Sequence, residues 1–453
     1  MFKEIFFRSI QKLTQPKKST SMLLPRLVAS IIFVNGGSGL VGSSVTSRLF
    51  HASGGAITRS SRLFSTAGGD DSRKSRSLAV LGAGLSGLAC AIEAAKAGGN
   101  TVEVSLFEQS GRPGGRASSR SVNGTVFDHG CQYFSPKTNE MTADVKKWIE
   151  AGVVADWKGR FGVVDVGEGR YEEDDEDSRK QRLVGSPSMS ALAAHLLEEA
   201  RESGVKIHLG ARVKALKEGG DGGWSVKYRS PSGEDGEQQA DIVVASDCLM
   251  APLIEDIESA QDIKRAMLAR GTTGSATACF VAMVEVKGPT NLPDGFRVTG
   301  SGAVAWMAKE SSKPNRREID SNKMEIWTIH STPDYARLLI KKHGFTRRGS
   351  EEHVSLLNEA GNDLLKGAEE VLTSAAASLG GHDFSKAEVV KCHRWGAGFP
   401  SSAGSDDGSR FMASTCRTVF GCGDWAARPK ERGRVEAAVL SGKAAARAAL
   451  DLN

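Results

Sequence analysis

Residues 78–108 constrain the fold more than any other part of the chain. They read LAVLGAGLSGLACAIEAAKAGGNTVEVSLFE. The apolar run Leu78 to Leu81 has the continuous hydrophobicity of a buried parallel strand. Gly82-Ala83-Gly84-Leu85-Ser86-Gly87 follows as GxGxxG. Helical spacing then carries LACAIEAAKAG to the stop pair Gly98-Gly99, and a second strand ends on Glu108. Each part has a physical task. Gly82 permits a tight turn, Gly84 lets backbone approach a pyrophosphate, and Gly87 lets helix and strand pack closely. The helix N-terminus faces the phosphate charge. Glu108 lies 21 residues past Gly87, where a carboxylate accepts hydrogen bonds from ribose hydroxyls. The order and spacing predict a dinucleotide site with contacts from Gly82, Ala83, Gly84, Ser86, Gly87 and Glu108. An acid at that place argues against a 2′-phosphate, and so against NADP in this site.

A chain of 453 residues exceeds one compact core, so two intertwined domains and a tail are expected. The tail is residues 1–69. It is Ser-rich and holds nine Lys/Arg against one acid, Glu4, which is the composition of a transit peptide. Its apolar run LVASIIFV is too short to span a bilayer, so no stable membrane anchor is expected. RSSRLFSTA (59–67) resembles a matrix-processing site, which favours the mitochondrion over the plastid. The net charge of +5 comes from this tail, and the remainder is slightly acidic and gives no reason to expect nucleic acid. Seven scattered cysteines without a CxxC pair argue against a disulfide framework and against a zinc site; no metal is expected.

After Glu108 comes Gln109-Ser110-Gly111-Arg112-Pro113-Gly114-Gly115-Arg116. This resembles the ExxxRxGGR extension of the flavin-containing amine oxidase superfamily. The resemblance implies FAD as the cofactor, with Gln109, Arg112, Gly114, Gly115 and Arg116 among its contacts. RTVFGCGDWAARPKERGRVEAAVL (417–440) agrees with it. An apolar strand there turns at Gly421–Gly423, presents Asp424, and opens an Ala-rich helix near Gly433. Gly423 and Asp424 at such a turn suit a ribityl or pyrophosphate oxygen. Arg434 and Val435 start a helix that can aim N–H groups at the flavin.

Between these ends the resemblance narrows to renalase-like flavoproteins. FDHGCQYFS (127–135) is similar to their DxGxQY segment, which puts Gln132 and Tyr133 beside the flavin. The segment 183–226 is similar to their PxxxSxL helix and adenine-side turn, where Val213 would meet the adenine through its backbone. Segments 303–316, 325–336 and 389–400 resemble substrate-domain strands. The implied fold is α/β: a Rossmann-like FAD-binding domain of glutathione-reductase type over residues 77–130, 183–247 and 412–453. A second α+β substrate domain on a mixed or antiparallel sheet takes 131–182 and 248–411. The implied activity is an FAD-dependent oxidoreductase whose flavin takes a hydride from a small substrate. A dihydronicotinamide, or another reductant of the NAD(P)H type, is the substrate this branch suggests, with O2 as acceptor. An amine oxidase, a desaturase and a flavin-binding assembly factor stay open as alternatives.

No side-chain triad stands out, as expected where the cofactor carries the chemistry. Tyr133, His330, Lys313 and Trp395 are the catalytic candidates, with Lys313 the position to test for a role near flavin N5. Trp306, Trp327 and Trp425 join them as pocket aromatics, and His129 as a proton relay. YEEDDEDSRKQ (171–181) reads as a solvated loop.

Overall fold

The computed structural model describes residues 75–451, except 176–180, 220–221, 255–257, 272–276, 317–322, 345, 382 and 401–407. The expectations for residues 1–69 lie outside these residues, as does the 176–180 part of the 171–181 run.

The strand expected at Leu78–Leu81 is β1 (Arg76–Leu81), whose last four residues are fully buried. It lies inside a six-stranded sheet, paired in parallel with β2 (Val102–Glu108) on one side and Ile242–Ala245 on the other. Lys206–Leu209 extends the sheet beyond β2, and Val419–Gly421 extends it past Ile242–Ala245, again in parallel. Met412–Ala413 closes that edge in antiparallel sense. A parallel sheet must be covered on both faces, and this one is. Helix α1 (Leu85–Gly98), α2 (Asn139–Glu150), α3 (Met189–Glu202) and the last helix (Val435–Ala449) share one core with Leu78, Val80 and Leu106. On the other face, the three-stranded sheet 212–240 and the helix Gln261–Gly271 bury Ala79, Leu81 and Phe107. Helix α1 ends at Gly98 with Gly99 at φ +49° as its cap, as the glycine pair demands.

The second sheet has seven strands. In order they are β6 (Ala387–Phe399), β3 (Thr277–Lys287), β5 (Met324–Ser331), β4 (Val304–Lys309), Gly295–Thr299, Phe161–Asp165 and Arg170–Glu173. The one parallel pair, Gly295–Thr299 with Phe161–Asp165, makes it a mixed sheet. Helices α4 (Pro333–His343) and α5 (Glu351–Ser374) cover one face over Phe280, Ala282, Val284, Trp327 and Ile329. The alternate residues point the other way, toward the first sheet's domain, and form a roof over it.

Two stretches expected in the second domain pack elsewhere. Helix α2 sends Met141, Val145 and Trp148 into the core around α1. Residues 248–271 contribute Cys248, Ala251, Ile263 and Met267 to the core on the opposite face of the first sheet. The acidic run at 171 begins as an edge strand, Arg170–Glu173, rather than as a loop. All seven cysteines are free thiols. Among the described residues no helix is long and apolar enough to cross a membrane.

Candidate active site between two sheets

Gly82 and Gly87 have the geometry expected of them. Gly82 sits at φ +97°, and its N–H donates to the Phe107 carbonyl at 2.7 Å. A Cβ on Gly87 would lie 1.9 Å from the Gly82 carbonyl oxygen, so only glycine permits this crossing of helix and strand. Nothing approaches the Cβ position of Gly84, and the Cβ position of Gly115 meets only the Gly84 Cα, at 3.7 Å. Gly114 (φ +116°) donates its N–H to the Ala83 carbonyl at 2.8 Å. Two bare stretches of backbone therefore lie side by side at the head of α1.

No side chain caps that head, and the buried Ser86 hydroxyl in its first turn has no protein partner. Uncapped N–H groups, an unpaired hydroxyl and open space beside glycine are what a phosphate requires. Glu108 accepts from the Ala83 N–H and from the Ser110 N–H and hydroxyl, each at 2.8 Å. Three bonds leave one of its roughly four lone-pair sites for a ribose hydroxyl. Gln109 and Arg112 stand exposed beside it, and Val213 is half-buried near Phe107.

The distant turn meets this end through Arg116. Its guanidinium grips Asp424 bidentately, Nη1–Oδ2 at 2.8 Å and Nη2–Oδ1 at 2.5 Å, across 308 residues of sequence. Gly423 at φ +130° makes the turn that presents Asp424. The last helix begins at Val435 with Arg434 as N-cap and no side-chain cap bond. It crosses α1 closely, because a Cβ on Gly442 would lie 2.1 Å from the Ser86 carbonyl oxygen. The two helix heads and the Arg116–Asp424 pair thus bound one concave strip.

The segment Phe127–Phe134 runs between this strip and the roof. Cys131 N–H donates to the Arg116 carbonyl at 2.9 Å, and a Cβ on Gly130 would lie 2.1 Å from the same oxygen. On its roof side Tyr133 meets Trp306, ring centroids 5.7 Å apart, and His129 stacks on Trp395 at 5.0 Å. The Trp395 indole N–H donates to the His129 carbonyl at 2.8 Å. Register explains the roof. His330 on β5 and His393 on β6 both pair with Val281, Trp306 pairs with His330, and Trp395 pairs with Cys279. Paired residues share a face, so all four turn toward Phe127–Phe134.

Trp327 is three residues from His330 and faces the helices instead. It is fully buried in that core, its N–H on Glu325 at 3.1 Å. Trp425 is also core, wedged against Gly421 and Gly423 on the first sheet. Neither lines the pocket.

Lys313, the candidate for a role near the flavin, has a fully buried ammonium. It donates to Glu310 at 2.7 Å, Asp128 at 3.2 Å and Gln132 at 3.3 Å. Those three bonds use its three donors, so Lys313 orients the Gln132 amide and has no N–H left for another group. Arg316 pairs with both carboxylates, and the Thr328 hydroxyl, 3.1 Å from both Glu310 and the Gln132 Oε1, shares its one proton between them. Two cations and two carboxylates are thereby buried together. Burial would raise the Asp128 carboxyl, but Lys313 and Arg316, with bonds from Ser119 and the Met189 N–H, hold it at about 2. Glu310 goes the other way, raised chiefly by burial. Asp128, Glu310 and Arg316 were not singled out from sequence, although Glu310, Lys313 and Arg316 recur at intervals of three.

Burial also holds the roof histidines neutral. It pushes His129 down to about 4, helped by Arg120, and His330 to about 3, helped by Lys313. His393 falls to about 2 by burial, then by His129, Arg120 and Arg348.

The fold sets a glycine-lined strip at one sheet, of the kind that accepts a dinucleotide, against an aromatic roof from another. Two family models match it. The NAD(P)-binding Rossmann-like domain matches residues 80–148, and flavin containing amine oxidoreductase matches residues 167–450. The chain belongs to the flavin-containing amine oxidoreductase family. It is an FAD-dependent oxidoreductase. Solved structures share the mixed α/β fold. Reduced UDP-galactopyranose mutase aligns at TM-score 0.58 and 12% identity over 84% of this chain and 96% of that one. An oxidoreductase from Methanosarcina mazei aligns at 0.55 and 13% identity, over 81% and 99%. Putrescine oxidase bound to putrescine aligns at 0.53 and 14%, over 83% and 98%.

Proposed function

We propose that the FAD lies along the strip in the glutathione-reductase manner. Glu108 and Val213 would hold the adenosine end, and Gly84, Ser86, Gly114 and Gly115 the pyrophosphate. Asp424, Arg116 and the helix head at Arg434 and Val435 would hold the far end, with Gln132 and Tyr133 beside the ring. The bound flavin supplies a hydride acceptor. We further propose a renalase-like reaction: a small, flat hydride donor of the dihydronicotinamide type lies under the roof, and O2 reoxidises the protein. Residues 1–69 would address the chain to the mitochondrion.

The observation that carries this reading is the roof itself. Tyr133, Trp306, Trp395 and three neutral histidines form an aromatic, uncharged ceiling suited to stacking on a flat neutral ring. Arg182 already lies over the Tyr133 ring at 5.7 Å and Lys313 over Trp157 at 5.1 Å, and their charge disfavours an ammonium substrate beside them. Lys313 serves as a positioning residue through Gln132. Trp395 orients His129 and offers stacking surface.

Anaerobic mixing of the flavin-loaded protein with a panel of dihydronicotinamide isomers and amines tests this. Bleaching of the visible flavin band by a dihydronicotinamide, restored by O2, is expected. Bleaching by an amine alone would overturn the substrate class.

A further inference from the structure

The roof continues at its free edge into a group of cations that have no carboxylate partner among the described residues. Arg120, on the short strand Arg120–Val122, lies with Nη2 3.5 Å from His393 Nδ1 on β6. Its Nε is buried and has no partner. Arg348 and Arg112 repel Arg120, and its guanidinium forms no ion pair with a carboxylate among the described residues. Around the same edge, Thr346 Oγ1 bridges His353 Nδ1 at 2.9 Å and Arg394 Nη1 at 3.5 Å. Burial lowers the Arg394 guanidinium pKa. A buried guanidinium N–H with no acceptor, on an arginine with no carboxylate beside it, calls for an anion. His393 links this group to the pocket, its ring 4.8 Å from His129 and 4.5 Å from Trp395. His129 is 2% exposed, and its Nδ1 has no partner.

We propose that Arg120, Arg348 and His393 bind a phosphate group carried by the substrate, whose flat ring lies against His129 and Trp395. The Arg120 and Arg348 forks supply paired N–H donors to a dianion, and the partly buried setting strengthens them. The exposed side of Arg348 lets the group enter from solvent. This rests on the hydride-donor reading for the ring, but the phosphate contact stands by itself.

Two measurements on the flavin-loaded protein separate the claims. Calorimetric titration with inorganic phosphate, at constant ionic strength, is expected to show binding that R120Q and R348Q each weaken by about tenfold or more. Absence of binding to wild type, or unchanged affinity in R348Q, would overturn the proposal. R348Q decides alone if R120Q fails to fold, since Arg348 is a surface residue. A dihydronicotinamide riboside and its 5′-phosphate form the second pair. The phosphorylated compound is expected to have about tenfold higher kcat/KM in wild type, an advantage lost in both variants. Equal values in wild type would overturn the assignment to substrate. If neither compound reduces the flavin, the hydride-donor reading fails while the phosphate titration still decides the anion site.

Discussion

Lys313→Met removes one cation from a cluster of two carboxylates and two cations, all buried. Methionine fits the volume but leaves Asp128 and Glu310 facing only Arg316. Removing one partner of a buried pair costs about 3–5 kcal/mol. Arg316 still touches both carboxylates, so the lower end, about 3 kcal/mol, is expected at neutral pH. The cost should depend on pH. Glu310 already has a raised pKa, and losing Lys313, which lowers it, raises it further. A carboxyl whose folded pKa exceeds its unfolded value binds a proton in the native state first, so stability rises as pH falls through the folded pKa. The gap between variant and wild type should therefore shrink as the pH is lowered from neutrality. Glu310→Gln in the same chain should restore stability to within about 1 kcal/mol, because the uncompensated charge is gone. Urea denaturation of the flavin-loaded proteins at several pH values measures this. A variant as stable as wild type at neutral pH, or a double variant no better than the single, would refute the reasoning.

Other outcomes follow from the same geometry. His129 holds a folded pKa of about 4 against 6.5 unfolded, so the unfolded chain binds more protons between those values. Stability should fall by about 1.4 kcal/mol per pH unit for each histidine so held as pH drops below 6.5; a flat profile from 6.5 to 4.5 in Glu310→Gln, which lacks the opposing carboxyl, would contradict neutral histidines. Trp395→Phe loses the bond to the His129 carbonyl and should raise KM by about fivefold to tenfold in steady-state turnover. Trp327→Phe should cost about 1–3 kcal/mol in denaturation and leave kcat/KM unchanged, since that ring sits in the helix-covered core.

The nucleotide end was legible because its constraints are local. A turn at Gly82, a crossing at Gly87 and an acid at the end of β2 are fixed by a few consecutive bonds, and the residues carry that geometry in their spacing. The roof was harder, because it depends on which strands pair. Trp306 and Trp327 look alike in sequence, yet register turns one to the pocket and the other to the helices. The period-two rule already separates Trp327 from His330, three positions apart, onto opposite faces. The buried ion cluster joins Asp128 to residues 310, 313 and 316 across more than 180 positions. No local pattern announces a contact of that range. Helix α2 was misplaced for a similar reason: its amphipathic face specifies burial but not which sheet it covers.

The claim on which the rest depends is that one FAD spans both ends of the chain. Flavin content per chain, measured side by side in wild type, Glu108→Ala and Asp424→Ala with circular dichroism as the folding control, tests it most directly. One FAD per chain is expected in wild type, with substoichiometric flavin in both variants and an unchanged dichroism spectrum. A folded Asp424→Ala protein that keeps the wild-type flavin content would contradict it.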